Sequence, residues 1–273
     1  MRIEVSHESP ISILHKSLEY NDYCYALVHL FETHDNYYNF FKEAKLLDKE
    51  VYLDNSIFEL GESFDHEKYA QWIEKLEPNL YIVPDVLESS DETISAWLKW
   101  EGTHSFPQCR TMGVVQGKTW KDLVDCYRFM SECADMVAIS FDYSYYQTTG
   151  YGNNKLQRFS NGRQRFVQQL VDEGIWNWNK PHHLLGCSLA HEFRWYVDNN
   201  IYNIKSVDTS NPIVASMHDL KYNDEYGLTE KPKTLLADMI DHKITDSEFE
   251  LVQYNTKMFK RYYVDEQAMD SAI

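Results

Sequence analysis

The chain has 273 residues, 43% of them hydrophobic and 15% aromatic, which is long enough for one substantial core and too apolar for a disordered chain. Its formal net charge of −17 excludes a protein that coats nucleic acid nonspecifically, because neutralising phosphate groups requires clustered Lys and Arg. A local basic strip that contacts nucleic acid is compatible with this charge.

Short β-branched or aromatic runs alternate along the chain with longer amphipathic segments. The sequence predicts a strand within Arg2–Leu14 and further strands at Tyr25–Leu30, Val51–Asp54, Leu80–Val83, Thr111–Val115, Met136–Phe141, His183–Cys187 and Tyr202–Val207. Helices are predicted at Tyr37–Leu47, His66–Leu76, Asp91–Trp100, Lys121–Cys133, Arg163–Glu173 and His191–Asn199. The segment Leu228–Ile273 is charged and helical in pattern, and we expect it to pack on the domain as an extension.

This alternation indicates βαβ units, whose parallel sheet is buried on both faces. Seven or eight such units in one chain favour a closed (β/α)8 barrel of the TIM type over an open doubly wound sheet. The sequence contains neither a GxGxxG nor a GxxxxGK[ST] phosphate loop, and no linker divides it. We therefore predict a single barrel domain over residues 1–273, with 228–273 as its helical extension.

Polar residues follow several of the predicted strands. In such a barrel the chemistry lies at the carboxyl ends of the strands, where the βα loops gather. The residues at these ends are Asp54, Asp85, Gln116, Asp142, Gly186 and Asp208. Each aspartate can also be an ordinary helix cap, and a glycine there commonly marks a tight turn. Gln116 is a poor cap, however, so the set as a whole indicates a polar site at the barrel mouth.

Ionised carboxylates at such a mouth suit a metal ligand, a general base or a nucleophile. The adjacent His182 and His183 would face opposite sides of a strand, so they cannot share one ion and are expected to be structural. Mg²⁺ held by aspartates alone stays an alternative. An Asp beside a Gln, as in Asp85 and Gln116, complements the O6 and the N1–H/2-amino edge of a purine, and Phe58 can stack on it. The residues predict a site for a guanine-like base.

Five short motifs carry a resemblance to a known family. They are Asp54-Asn-Ser-Ile-Phe58, Asp85 within IVPDVL, Gly113-Val-Val-Gln-Gly117, Leu185-Gly-Cys-Ser188 and Asp208-Thr-Ser-Asn-Pro212. In this order, over about residues 50 to 215, they resemble the tRNA-guanine transglycosylase superfamily, and within it the 7-deazaguanine DNA transglycosylases of phages and bacteria. The GVVQG motif is the strongest single match.

The resemblance implies a role for each matched residue. Asp208 would be the nucleophile that attacks C1′ of a guanosine, and Asp54 the general base. Asp85 would accept from N1–H and the 2-amino group, while Gln116 and the Gly186 N–H would donate to O6. The resemblance also places Phe58 and Cys187 in the base-binding site. We predict no cofactor, and we predict no metal because the zinc ligands of the family's tRNA enzymes are absent from this sequence.

The sequence departs from the family pattern at several positions. The family's Gly-Gly between the first Asp and Phe is Ser56-Ile57 here, its Gln after that Phe is Glu59, and its Thr-Arg after the last Pro is Ile213-Val214. The Cys/His zinc site of the tRNA enzymes is missing. These departures favour DNA over tRNA, with guanine replaced by a 7-deazaguanine such as preQ0.

Three other functions stay open at this point. They are a queuine- or preQ1-type tRNA-guanine transglycosylase, another aspartate-dependent barrel enzyme such as a glycosidase or a Mg²⁺ lyase, and a non-catalytic binding subunit. The filled catalytic positions speak against the last of these.

A basic segment is the predicted contact with nucleic acid. From Tyr143 to Val171 there is no acidic residue, and four cations follow a group of tyrosines: Lys155, Arg158, Arg163 and Arg165. Basic and aromatic residues interleaved in this way suit backbone contact and stacking on an extruded base. The alternative is an ordered tyrosine-rich loop leading into a solvated helix.

The cysteines and the first residues bear on the cellular compartment. Five cysteines are scattered without a CxxC pair, which argues against a disulfide framework or a cysteine zinc cluster and suits reduced thiols. MRIEVSHESP lacks the apolar core of a signal peptide, and no apolar run of about 18 residues is present. We expect a cytoplasmic protein without a membrane span, in the host cytoplasm if it is phage-encoded. Its acidic C-terminal region could be a homodimer surface or a solvated face.

Overall fold

The computed structural model describes residues 3–141, 143–187, 189–223, 228, 232 and 234–261. Eight strands run through it: β1 Glu4–His7, β2 Cys24–Leu27, β3 Val51–Asp54, β4 Leu80–Ile82, β5 Arg110–Val115, β6 Met136–Ile139, β7 His182–Leu184 and β8 Ile204–Thr209. All of their ladders are parallel, and neighbouring strands follow the order β1-β8-β7-β6-β5-β4-β3-β2.

The helices alternate with these strands. They are α1 Leu14–Ser17, α2 Val28–Phe31, α3 Asp35–Leu46, α4 Ile57–Leu60, α5 His66–Leu76, α6 Ser90–Thr103, α7 Trp120–Cys133, α8 Ser144–Thr149, α9 Lys155–Asp172, α10 Glu192–Asp198, α11 Asn211–Met217 and α12 Asp246–Arg261. Short 3₁₀ turns cover Ile11–Ile13 and Leu236–Met239. The predicted (β/α)8 fold of the TIM type is confirmed.

Hydrogen bonds from residues just before β2 connect β1 to β2, whose described residues share no strand ladder. The Asp22 N–H donates to the Val5 carbonyl at 2.9 Å. The Asn21 amide takes the place of a strand's peptide group, since its Oδ1 accepts from the His7 N–H at 2.7 Å and its Nδ2 donates to the His7 carbonyl at 3.0 Å. These bonds satisfy backbone groups of β1 that would otherwise face an open edge.

The strands are apolar because the helices and the barrel interior cover both of their faces. Every residue of β2 and of β6 is buried, as expected for parallel strands enclosed by crossover helices. The core therefore lies inside the barrel and in the layer between the sheet and the helices. This enclosure leaves the carboxyl ends of the strands, with their loops, as the place for a site.

Several predicted boundaries differ from the structure. The strand predicted at Tyr25–Leu30 ends at Leu27, because the apolar residues that follow form α2. The strand predicted at His183–Cys187 is His182–Leu184, since the chain leaves the sheet before Gly186, whose φ of +64° is left-handed. Helix α9 begins at Lys155 rather than at Arg163. Its Asn154 cap accepts from the Gln157 N–H at 2.9 Å.

The predicted C-terminal extension contains the 3₁₀ turn Leu236–Met239 and helix α12. Helix α12 buries Val252 and Phe259, and the Phe259 ring packs on His7 and Phe193 at 5.4 and 6.0 Å between centroids. Within the predicted extension, residues 229–231, 233 and 262–273 lie outside the described residues. Among the helices described, none has the length and apolar character needed to cross a membrane.

Candidate active site

A cavity of ≈ 340 Å³ opens at the carboxyl ends of the strands. Its walls include every residue that the sequence predicted to act on a base: Asp54, Phe58, Asp85, Gln116, Gly186, Cys187 and Asp208. Its size and its mix of apolar walls with a few polar groups are typical of a small-molecule site. Two residues named from the sequence, Asp142 and Ser188, lie outside the described residues.

Three side chains from consecutive strand ends bind one another at one side of this cavity. We call Asn55, Asp85 and Gln116 the carboxamide cluster. Asp85 is 1% exposed, and its two oxygens accept from Asn55 Nδ2 at 2.8 Å and from Gln116 Nε2 at 2.6 Å. The Glu88 N–H donates to Gln116 Oε1 at 2.7 Å, which turns the amide nitrogen towards Asp85. The cluster is thus ordered before any ligand arrives.

The carboxamide cluster keeps bonding capacity for a ligand. Each carboxylate oxygen can accept more than one hydrogen bond, and an amide nitrogen has two hydrogens to donate. Burial raises the pKa of Asp85 to about 6, although its hydrogen bonds from Asn55 and Gln116 lower it. Asp85 is therefore mostly ionised at neutral pH and can accept donors from a ligand.

A local turn brings Asn55 into this cluster. Asn55 Oδ1 accepts from the Ile57 N–H at 3.1 Å, and Ser56 adopts a left-handed conformation with φ +61° before α4 begins. Ser56 stands at the first of the two positions that are glycine in the family it resembles. The chain thus keeps at this position the backbone conformation that glycine favours, with a serine whose Oγ accepts from the His29 N–H at 3.3 Å.

On the other side of the cavity Asp208 contacts His183 and Gly186, and we call these three residues the Asp208 cluster. Asp208 Oδ1 accepts from His183 Nε2 at 2.9 Å and from the Gly186 N–H at 3.0 Å. His183 is fully buried, and its Nδ1 lies 2.8 Å from the Ser206 hydroxyl. The Gly186 N–H, predicted to donate to a base, is thus used by Asp208 in this structure.

The two adjacent histidines have different environments. His182 faces the helices, where its ring stacks on Trp176 at 3.8 Å and its Nε2 lies 2.9 Å from the Tyr127 hydroxyl. Burial lowers the pKa of His182 to about 3, so it stays neutral. His183 was expected to be structural as well, but it faces the interior and contacts Asp208. Successive side chains of a strand point to opposite faces, so the sequence already implied that one of these two histidines faces the barrel interior.

Asp54 lies between Tyr25 and Ser56. The Tyr25 hydroxyl donates to its Oδ2 and the Ser56 N–H donates to its Oδ1 at 2.5 Å. Burial raises the pKa of Asp54 well above its usual range, the Glu59 charge adds to this, and the two hydrogen bonds oppose it. A carboxyl group with such a pKa can hold a proton and pass it to a leaving group.

Glu59 is a further carboxyl group of the cavity wall, noted from the sequence only as a departure from the family. Burial, with a smaller contribution from the charge of Asp208, raises its pKa to about 7. Its Oε2 has no hydrogen-bond partner among the residues that the structure describes. The cavity therefore contains a second group that can change its protonation near neutral pH.

Phe58 and Cys187 line the cavity in different ways. Phe58 is 54% exposed where it lines the cavity, so its ring offers an apolar face to a ligand. Cys187 is buried, and its Sγ donates to the Leu189 carbonyl at 3.3 Å. Burial raises the pKa of the Cys187 thiol well above its usual range, so it contributes surface rather than a thiolate nucleophile.

Three of the four predicted basic contacts are near the mouth or on the outer surface of α9. Lys155 lines the cavity and is exposed. Arg165 is exposed and donates to the Thr149 carbonyl at 2.7 Å, while Arg158 is half-buried. Of these three side chains, Lys155 lines the cavity, whereas Arg158 and Arg165 lie further along α9 and are not part of its wall.

The prediction that Arg163 contacts nucleic acid is wrong. Arg163 is fully buried, and its guanidinium forms a double ion pair with Glu192 at 2.7 and 2.9 Å. It also donates to the carbonyls of Ile139, Leu185 and Gly186 at 3.0–3.1 Å. Arg163 therefore supports the backbone that presents the Gly186 N–H to Asp208. The tyrosine-rich segment is also partly internal, since Tyr143 and Tyr146 are buried.

Within the described part of the chain, no group of three or more His, Cys, Asp or Glu side chains is arranged to hold a metal ion. No protein-family model matches the sequence, and a search of curated proteins also found no match. The site must therefore be interpreted from its own chemistry. It combines a hydrogen-bonded Asp–Gln pair, a carboxylate held by two donors, and two further carboxyl groups, Asp54 and Glu59, whose pKa is raised as that of Asp85 is.

Proposed function

We propose that this protein exchanges guanine in nucleic acid, with DNA as the preferred substrate, for a 7-deazaguanine such as preQ0 through a covalent aspartyl-glycosyl intermediate. One observation carries the proposal: Asp208 shares a single cavity of ≈ 340 Å³ with Asp54 and with the Asp85–Gln116 pair. The ordered motifs from Asp54 to Pro212 also support it, because their Asp54, Phe58, Asp85, Gln116 and Asp208 all line that cavity.

In the first step Asp208 attacks C1′ of a guanosine. The new bond joins C1′ to an oxygen of Asp208, and the C1′–N9 bond breaks with its electron pair going to guanine. Asp54, whose pKa is raised by burial, gives its proton to the departing base. A carboxylate needs no activating base, and its charge favours an oxocarbenium-like transition state.

In the second step the incoming deazapurine attacks C1′ through N9. The bond to Asp208 breaks, its electron pair returns to the carboxylate, and the proton on N9 passes to Asp54. Atoms and charge balance over the two steps, so no oxidant or reductant is needed.

The carboxamide cluster provides the selectivity. Asp85 accepts from N1–H and the 2-amino group, and Gln116 Nε2 donates to O6. Adenine offers neither set, so it would leave buried groups unpaired at about 1–3 kcal/mol each. Phe58 at the mouth supplies a face on which the base can stack.

A base-exchange assay with labelled free guanine tests the proposal. Duplex DNA, single-stranded DNA and tRNA are compared in parallel, and unlabelled preQ0 is added as competitor. We expect label in DNA, and less of it when preQ0 is present. Label in tRNA alone would support the queuine-type alternative, and no label in any nucleic acid would overturn the proposal.

A thermal-melting series separates the other barrel chemistries. Guanine or preQ0 should raise the melting temperature, whereas simple sugars and Mg²⁺ should not. Stabilisation by sugars or Mg²⁺ alone would instead indicate a glycosidase or a magnesium enzyme.

A further inference from the structure

We infer that His183 is a positioning residue that holds one oxygen of Asp208, so that the other oxygen forms and breaks the bond to the sugar. This inference rests on the proposed function, because it assigns a division of labour within the proposed nucleophile. The evidence for this inference is the set of hydrogen bonds within the Asp208 cluster.

The register of two strands places His183 beside Asp208. In the ladder between β7 and β8, His183 lies opposite Ser206, after an irregularity between His182 and His183. Asp208 is two residues beyond Ser206, so it points to the same side of β8. The His183 ring spans this interval, with Nδ1 at the Ser206 hydroxyl and Nε2 at Asp208.

The donors fix the orientation of the carboxylate. An ionised carboxylate only accepts, so Nε2 of His183 must carry the hydrogen in its bond to Asp208. Both this N–H and the N–H of Gly186 donate to Oδ1. Oδ2 accepts no hydrogen bond from the residues that the structure describes, and Asp208 lines the cavity. Oδ2 is therefore the oxygen available to C1′.

The same arrangement links the two proposed catalytic carboxyl groups. The His183 ring lies parallel to the Tyr25 ring, with an interplanar angle of 8° and 5.9 Å between centroids. Tyr25 donates to Asp54, as His183 does to Asp208. The two rings that donate to the proposed catalytic carboxyl groups are therefore in contact with each other in the barrel interior.

The bond from His183 has a directional effect on the reaction. It is charge-assisted while Asp208 is a free carboxylate, and it weakens when Oδ1 becomes the carbonyl oxygen of an ester. The bond therefore favours the free carboxylate over the intermediate. His183 should make Asp208 a better leaving group, and its loss should slow the second step more than the first.

Single-turnover kinetics test this role. A guanine-containing oligonucleotide forms the adduct, excess free guanine then resolves it, and denaturing gels follow both steps. His183→Phe keeps a ring but removes both donor and acceptor. We expect resolution to slow by about tenfold or more, the effect of losing a hydrogen bond to a charged group. The KM for guanine should change little, because His183 does not contact the carboxamide cluster.

A second variant protects the test against simple misfolding. The amide nitrogen of His183→Gln can occupy the position of Nε2, so this variant should restore resolution to within about threefold of wild type. Both variants are first compared by thermal melting. The inference is overturned if His183→Phe, while folded, forms and resolves the adduct at wild-type rates, or if His183→Gln resolves it no faster than His183→Phe. If the wild-type protein forms no adduct with any nucleic acid, the proposed function itself fails.

Discussion

The two sides of the cavity are built in different ways. The carboxamide cluster consists of three side chains that follow β3, β4 and β5, and in it Asp85 accepts a hydrogen bond from each of the other two. The Asp208 cluster depends on the backbone N–H of Gly186 and on a histidine of β7. The buried Arg163–Glu192 ion pair binds the Gly186 carbonyl and so holds that backbone in place. The first is a property of strand-end residues, and the second is a property of how two strands and a helix are packed.

The largest loss of activity should come from a change of Asp208, the central residue of the Asp208 cluster. Asp208→Asn keeps the size of the side chain and an oxygen for the donors of His183 and Gly186, but it removes the attacking carboxylate. We expect base exchange to fall by about a thousandfold or more and the covalent adduct to vanish. Guanine binding, measured by calorimetry, should change little. An adduct that persists in this variant on denaturing gels would contradict the role of Asp208.

The Arg163–Glu192 ion pair next to the Asp208 cluster should contribute to the stability of the fold. Arg163→Ala leaves Glu192 buried without its cation, which should lower the free energy of unfolding by about 3–5 kcal/mol. The exposed Arg165 on the same helix is the matched control, and Arg165→Ala should change it by less than about 0.5 kcal/mol. Chemical denaturation measures both. Equal losses in the free energy of unfolding for the two variants would mean that the buried Arg163–Glu192 pair stabilises the fold no more than an exposed arginine does.

The fold was predictable because its signal is local. Parallel strands that are buried on both faces appear as short apolar runs, and amphipathic helices separate them. Boundaries were less predictable, because the turn at Gly186 depends on a left-handed φ that hydrophobicity does not encode. The strand-end rule of a barrel was then sufficient to predict that Asp54, Asp85, Gln116 and Asp208 line one cavity.

The rest of the site depends on contacts between distant residues. His183 was missed because its contact with Asp208 follows from the register of β7 against β8, which includes an irregularity. Arg163 was misassigned because its segment has no acidic residue, whereas its partner Glu192 lies 29 positions further along the chain. Glu59 was noted only as a departure, because nothing local shows that its side chain is largely buried at the cavity wall.

The carboxamide cluster should be tested by its own central residue. Asp85→Ala removes the acceptor of Asn55 and Gln116 as well as that of the base, so guanine or preQ0 should bind at least about tenfold more weakly. Asp91→Ala, at an exposed position of α6, is the control and should leave affinity unchanged. Calorimetry measures both, and unchanged affinity in Asp85→Ala would refute the assignment of this cluster.

Acid should weaken the same interaction. The pKa of Asp85 is about 6, so most of the carboxylate is protonated at pH 5 and can no longer accept from both N1–H and the 2-amino group. We expect guanine affinity to fall about tenfold between pH 7 and pH 5. The titration is run in a Glu59→Gln background, because Glu59 titrates nearby at about 7. A flat profile would contradict this prediction.

The same pKa predicts a change in stability with a defined sign. Asp85 keeps its proton to a higher pH in the folded state, about 6, than at its ordinary value of 3.8. The folded state therefore binds more protons between these values, so the contribution of Asp85 to stability falls as the pH rises from 3.8 to about 6. The melting temperature of wild type should fall relative to Asp85→Asn across this window. A constant difference would show that burial does not shift this group.

The smallest effects should come from the basic residues of α9, which belong to neither the carboxamide cluster nor the Asp208 cluster. Lys155→Gln, Arg158→Gln and Arg165→Gln should each weaken DNA binding a few-fold for all sequences and reduce the slope of log affinity against log salt by about one. Arg110→Gln is the control, because Arg110 lies at the amino end of β5 and therefore at the opposite end of the barrel. An unchanged slope in all three α9 variants would mean that nucleic acid approaches the cavity from another direction, whereas a loss confined to them would extend the site from the cavity onto α9.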